Sequence, residues 1–124
     1  MLFVLPDTAG DFICVQASDT LSANDYHDIL VPLIEDKIKK FGPIRMVIYF
    51  DHSFTGFKAG AMWEDAKLGY NHAKDFIRIG IVGGPEWIDW ATKFGNALTQ
   101  GEVQHFTESQ FLQALHWSND GEVS

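Results

Sequence analysis

Apolar and polar residues alternate along the chain in blocks that predict strands and helices in turn. Two short apolar runs, Leu2–Leu5 and Phe12–Ala17, flank a turn-forming Pro-Asp-Thr-Ala-Gly sequence and predict a β-hairpin. Later runs predict strands at Ile44–Phe50, Phe76–Val82 and Glu102–Phe106. The first two of these are apolar almost throughout, which indicates burial on both faces of a parallel sheet, whereas the third is more polar and suits a sheet edge.

Segments with helical spacing of apolar residues separate these strands. The first helix is predicted to begin at a capping box formed by Ser22 and Asp25, to be kinked at Pro32 and to end at Gly42. Three more helices are predicted, at about residues 58–73, 85–98 and 107–117. The predicted order is ββαβαβαβα, an α/β fold with a five-stranded, mostly parallel sheet and four helices. The polar tail is predicted to fray from about residue 118.

Composition and charge narrow the class of protein. Residues 1–124 are expected to form a single domain, and 46% of them are hydrophobic. The formal net charge is −8 and no basic run offsets it, so nucleic acid is not expected as a partner. Between Phe57 and Leu98, however, acidic and basic residues are equal in number. This central segment can approach an anionic or apolar surface without the repulsion that the rest of the chain would meet.

The sequence also predicts a location. The apolar start comprises only five residues before Pro6 and has no basic region, which is not typical of a signal peptide. No apolar run approaches the roughly 20 residues that a membrane-spanning helix needs. The single cysteine, Cys14, lies in an apolar strand and is interpreted as a buried, inert thiol. These features predict a cytoplasmic protein, and peripheral association with a membrane stays open.

Several segments, in their order and spacing, resemble the SpoIIAA-like family. They are LSANDY at 21–26, GPIR at 42–45, Asp51, AMWED at 61–65, FIRIGIVG at 76–83 and Trp87. The resemblance extends from about residue 12 to residue 117. It implies the fold of the sulfate transporter and anti-sigma antagonist (STAS) domains, which is similar to that of the lipid-carrying CRAL-TRIO domains. It also implies a role in membrane association or apolar ligand binding, with no enzymatic activity.

One position departs from the related anti-sigma antagonists, which carry a phosphorylatable serine where the second helix begins. Here the stretch is Phe57-Lys58-Ala59-Gly60, and alanine cannot accept a phosphoryl group. Ser53 and Thr55 lie in the preceding loop and are interpreted as residues that cap their own turn. A regulatory protein–protein interaction domain of the anti-sigma antagonist type is the alternative function, with phosphorylation disfavoured by Ala59.

Residue types suited to catalysis come together locally at one place, Asp51-His52-Ser53, after the central strand. Adjacent residues of an extended segment point in opposite directions, so these three cannot form a catalytic triad among themselves. They are interpreted as a structural or switch loop. No histidine pair has metal-ligand spacing on one helical face, so no metal or other cofactor is expected.

Aromatic residues on the second and third predicted helices are the sharpest functional signal. The predicted binding residues are Phe57, Trp63, Tyr70, Trp87, Trp90 and Phe94. The small residues of the second helix (Ala59, Met62, Ala66, Gly69 and Ala73) are expected to pack on the sheet, which leaves Trp63 and Tyr70 on a neighbouring face.

Exposed rings interleaved with lysines suit a lipid headgroup layer or a subunit interface. We therefore expect a non-enzymatic binding module for an apolar or amphipathic molecule or a membrane surface. Homo-oligomers are also expected, and the subunit interface is the favoured role of the aromatic surface.

Overall fold

The computed structural model describes residues 1–85 and 101–120. The strands in these ranges are Leu2–Val4 (β1), Phe12–Ala17 (β2), Thr20–Leu21 (β3), Ile44–Phe50 (β4), Gly56–Phe57 (β5), Phe76–Gly83 (β6) and Glu102–Phe106 (β7). The predicted hairpin and the three predicted later strands are present. The additional strands β3 and β5 have only two residues each, too few to show a period in the sequence.

Three α-helices lie in the described ranges: Val31–Phe41 (α1), Ala59–Asn71 (α2) and Phe111–Asp120 (α3). A π-helical stretch, Asp25–Leu30, leads into α1. Pro32 lies in the first turn of α1, where its missing N–H costs least. In place of the kink predicted at Pro32, the helix changes from π to α just before the proline. The expected helix at residues 85–98 falls almost wholly outside the described residues.

Two helix starts have capping boxes: the predicted one at Ser22 and Asp25, which its hydrogen bonds confirm, and one at Thr107 and Gln110. The Ser22 N–H donates to Asp25 Oδ2 at 2.8 Å, and the Asp25 N–H donates back to Ser22 Oγ at 3.2 Å. Before α3, the Thr107 N–H donates to Gln110 Oε1 at 2.9 Å. These bonds satisfy backbone donors that a helix start otherwise leaves without partners, so both helix starts are fixed locally by the sequence.

Five strands form the main sheet, in the order β1-β2-β4-β6-β7. β1 pairs antiparallel with β2, and the other three pairings are parallel. Each parallel strand lies on the same side of the one before it. Because β2, β4, β6 and β7 run in the same direction, their carboxyl ends meet at one edge of the sheet. β3 and β5 pair in parallel just beyond that edge.

The two faces of the sheet bury separate apolar cores. Alternate residues of β4, such as Met46 and Ile48, face α1 and α2, and they pack with Leu30 and Ile34. The intervening Val47 faces α3 on the other side. Burial on both faces explains why β4 is apolar along most of its length, as the sequence predicted.

Two arginines fix the end of α3 to the sheet. Arg45 and Arg78 are register partners on β4 and β6, and they donate hydrogen bonds to the carbonyl oxygens of Ser118 and Trp117 at 3.2 Å and 2.9 Å. Cations at a helix C-terminus complement its dipole. Ser118 is fully buried, and α3 continues to Asp120, so the chain is still helical where a frayed tail was expected.

Candidate functional site

The outward surface of α2 carries Trp63, one of the aromatic residues predicted to bind a partner. Ala61 and Leu68 are the buried residues of this helix, with 0% and 7% of their surface exposed, and they join the core on the α1 side. Met62 and Trp63 are 61% and 66% exposed. Two adjacent large apolar side chains therefore face solvent near the beginning of α2.

The prediction of which side of α2 packs on the sheet is wrong. Ala59, Met62 and Ala66 were expected to pack there, and all three are exposed. The buried positions instead follow the seven-residue spacing from Ala61 to Leu68. Small residues occur on more than one side of this helix, so residue size alone did not identify the packed side.

Phe57 lies in an aromatic cluster beneath the start of α2. Its ring centroid is 5.4 Å from that of Phe54 and 6.1 Å from that of Phe50, both in edge-on arrangements. Phe57 is half-buried and packs against the core, whereas Phe50 and Phe54 are buried in it. Its role in binding stays a prediction, but much of its ring already supports the β5–α2 connection.

The remaining predicted binding residues cannot be placed. The backbone of Tyr70 belongs to α2, but its side chain lies outside the described part of the molecule. Trp87, Trp90 and Phe94 also lie outside the described residues. The described part of the predicted aromatic surface therefore consists of Trp63, with Phe57 at its base and Met62 as an addition.

Asp51 is the centre of a hydrogen-bonded loop at the end of β4. Its Oδ1 accepts bonds from the N–H and hydroxyl of Ser53, at 3.0 Å and 2.6 Å. Its Oδ2 accepts bonds from Gln16 Nε2, at 2.8 Å, and from the Ser18 hydroxyl. Although desolvation opposes ionisation, these bonds hold the pKa of the Asp51 carboxyl below its usual range.

Ser53 bonds within its own turn, through Asp51, but Ser53 and Thr55 also bond to a distant segment, which the sequence did not predict. The Ser53 hydroxyl also accepts a bond from the Asp19 N–H, at 3.0 Å. The Thr55 hydroxyl donates to the Asp19 carbonyl at 3.1 Å. Both hydroxyls therefore join the end of β4 to the segment after β2.

His52 points away from Asp51, as expected for adjacent residues. Its Nδ1 lies 3.1 Å from Glu108 Oε1, and the Tyr49 hydroxyl donates to the same oxygen at 2.8 Å. The bonds from Tyr49 and His52 lower the pKa of the Glu108 carboxyl. Desolvation and the bond to Glu108 raise the pKa of Tyr49 to about 12. The loop thus joins two separate networks, one through Asp51 and one through His52.

A cleft of about 610 Å³ lies at the carboxyl edge of the sheet. The ends of β4, β6 and β7 line it, with Phe50, Phe54, Pro85 and Glu108 among the lining residues. Gly83 has a φ of 74°, and a Cβ at this position would lie 2.5 Å from the Phe50 carbonyl oxygen. Glycine is therefore required where β6 passes the end of β4.

The described residues contain neither a cluster of metal-ligand side chains nor a helix able to span a membrane. No group of three or more histidine, cysteine or acidic side chains in residues 1–85 and 101–120 is arranged to hold a metal ion. Among the helices described, none has the length and hydropathy to cross a bilayer.

Comparison with known proteins identifies the family. The SpoIIAA-like family model matches residues 12–119. The chain belongs to the SpoIIAA-like family. This confirms the resemblance that its sequence motifs indicated.

Structural comparison agrees with the family assignment. The fold is similar to that of an uncharacterised DUF3478-family protein with a SpoIIAA-like fold from Shewanella loihica, whose crystal structure is known. The TM-score is 0.76 and the sequence identity 29%, over 94% of this chain and 93% of that one. No functionally curated protein matches the chain.

Sequence reasoning missed the residues that join distant segments at the carboxyl edge. Tyr49 and Glu108 are 59 positions apart, and Gln16 and Asp51 are 35 apart. No local spacing indicates such pairs. The one available signal was the predicted parallel sheet, because it brings the ends of its strands to the same edge.

Proposed function

We propose that this SpoIIAA-like chain is a non-enzymatic binding domain that engages an apolar or lipid-like partner through α2. The exposure of Met62 and Trp63, at 61% and 66%, is the observation that carries this proposal. Large exposed apolar residues that lie next to one another are typical of interaction sites, whereas single ones are ordinary. The third predicted helix, with Trp87, Trp90 and Phe94, would extend this surface.

The charges around Trp63 support an apolar partner over a strongly charged one. Glu64 and Lys67 form an ion pair at 2.7 Å one turn apart on α2. Their charges offset each other, so this pair adds little to the field of the net charge of −8, and α2 carries one further charged residue, Asp65. A surface of zwitterionic lipid or an uncharged apolar groove would meet no repulsion here.

The size of the expected interaction is modest. A Trp side chain buries about 150–250 Å² when fully enclosed, and at about 25 cal/mol per Å² its partial burial contributes roughly 2 kcal/mol. Met62 adds a smaller amount. Such an interaction is reversible, because stable anchoring needs further apolar area or charge attraction.

Vesicle sedimentation tests this proposal. Wild-type protein is expected to co-sediment weakly with phosphatidylcholine vesicles at millimolar lipid, and Trp63→Ala is expected to lower the partition coefficient about thirtyfold, the equivalent of roughly 2 kcal/mol. Leu112→Ala is the matched control, because Leu112 is 78% exposed on α3 and lies outside the proposed surface. Equal binding by both variants would contradict the proposal.

Size-exclusion chromatography with light scattering, run on the same variants, separates lipid binding from self-association. Under the proposal, the wild type and Trp63→Ala elute with the same mass when no lipid is present. A wild-type dimer that the Trp63 substitution dissociates would instead show that a second copy of the chain covers this surface. A subunit interface is the role that the sequence favours.

A further inference from the structure

The cleft at the carboxyl edge includes none of Phe57, Met62 and Trp63 in its described lining and has the volume of a small-molecule site. Its volume of about 610 Å³ falls within the roughly 300–1,000 Å³ usual for such sites. Three adjacent parallel strands, β4, β6 and β7, end around it. Its shape follows from the sheet, because Gly83 allows β6 to pass directly against the end of β4.

The floor and the rim of the cleft differ in chemistry. Phe50, Phe54 and Pro85 supply an apolar floor, and the two phenylalanine rings are fixed by contact with each other at 4.5 Å between centroids. Asp51 and Glu108 supply carboxylates. No lysine or arginine is among the described residues that line the cleft.

The two carboxylates are not equally available to a ligand. Both oxygens of Asp51 already accept two hydrogen bonds each, from Ser53 on one side and from Gln16 and Ser18 on the other. Glu108 accepts both of its bonds at Oε1. Within the described residues, Oε2 of Glu108 has no partner, and the side chain is 49% exposed. Tyr49 and His52 therefore orient a carboxylate that keeps one oxygen open.

From this arrangement we propose that the cleft binds a small protonated amine with an apolar body. The ammonium group donates to Glu108 Oε2, and the apolar part lies on Pro85 and on the small exposed portions of Phe50 and Phe54. A charge-assisted hydrogen bond is stronger than a neutral one, and aromatic rings tolerate a nearby cation. Among the described lining residues, an organic anion of the same size meets two carboxylates and no lysine or arginine, so these residues favour a cation.

Titration of three probes of similar size, followed by amide chemical shifts, tests the proposal. The probes are 2-phenylethylamine, 2-phenylethanol and 3-phenylpropionate, which share a ring and differ in charge. The amine is expected to shift the amides of His52, Phe54 and Glu108 and to bind at least tenfold more tightly than the other two. Equal affinities, shifts confined to other parts of the chain, or no binding by the amine at millimolar concentration would each overturn it.

The Glu108→Gln variant gives a second, sharper result. Glutamine keeps an oxygen for Tyr49 and His52 but removes the charge, so the preference for the amine over the alcohol is expected to disappear. Glu35→Gln is the control, because Glu35 lies 3.5 Å from His72 at the opposite end of the sheet and its loss changes net charge equally. An equal effect of both variants would mean that overall charge, not Glu108, attracts the amine.

This test is separate from the one for α2. Trp63→Ala changes no residue that lines the cleft, so amine binding is expected to survive it. Failure of amine binding with intact vesicle binding would remove the cleft proposal alone.

Discussion

The helices α1 and α2 pack on the same face of the same sheet, but the large apolar residues near their beginnings differ in exposure. In α1 and the π-helical stretch before it, Leu30 and Ile34 are almost completely buried. In α2, Met62 and Trp63 are mostly exposed, and the described buried residues are Leu68 and the small Ala61. Phe41, at the end of α1, is also exposed, so the contrast holds for the beginnings of the two helices: the first contributes to the core there, whereas the second presents Met62 and Trp63 to solvent.

Among the substitutions that test this contrast, Ile34→Ala is expected to change the free energy of unfolding most. Ile34 is fully buried in the core on the α1 side, so Ile34→Ala removes methyl groups and leaves a cavity. We expect the free energy of unfolding to fall by about 4 kcal/mol. Urea denaturation followed by circular dichroism measures this change. A loss below about 1 kcal/mol, typical of a surface site, would show that α1 does not support the core as described.

The same contrast explains what the sequence predicted well and what it did not. The apolar residues of α1 recur with one clear helical stripe, and its capping box is local, so its start and its buried side were both predictable. On α2, alanines and glycines occur on several sides. The buried side then depends on the fit to the sheet, which Ala61 and Leu68 provide and which no local pattern records.

The variant Leu68→Ala tests which side of α2 packs on the sheet. Leu68 is 7% exposed and is the larger of the two described buried side chains of α2. The other is Ala61, seven residues earlier. We expect a loss of about 2.5 kcal/mol, less than at Ile34 because the rim of the core can relax into the space. The same urea titration measures it. If Leu68→Ala cost nothing while Met62→Ala cost this much, the assignment of the packed and exposed sides of α2 would be reversed.

The loop that leads from β4 toward α2 provides a pH-dependent test. The pKa of Asp51 in the folded protein is below its unfolded value, so ionised Asp51 stabilises the fold above a pH of about 4, and this contribution is lost as the pH falls through the folded pKa. Asp51→Asn is expected to lower the free energy of unfolding at pH 7 by about 2 kcal/mol. The free energy of unfolding of this variant should also decrease less than that of the wild type as the pH falls.

Thermal melts from pH 7 to pH 3 measure this effect, with Asp36→Asn as a control. Asp36 is exposed on α1 and, within residues 1–85 and 101–120, forms an ion pair with Lys40 on the next turn, at 3.2 Å, so its loss should change stability little. A constant difference between wild type and Asp51→Asn across the whole pH range would show that the hydrogen bonds of Asp51 do not depend on its charge.

The smallest expected change in stability is at Trp63, and it decides what the contrast between the helices means. Because Trp63 is 66% exposed in the folded chain, its removal takes away little buried area, and Trp63→Ala should change the free energy of unfolding by no more than about 0.5 kcal/mol. Urea denaturation of this variant beside Ile34→Ala gives the comparison directly. A loss of several kcal/mol at Trp63 would place the indole in the core and leave α2 without a surface for binding. A stable variant that no longer binds vesicles would instead separate folding from function, with α1 responsible for the first and α2 for the second.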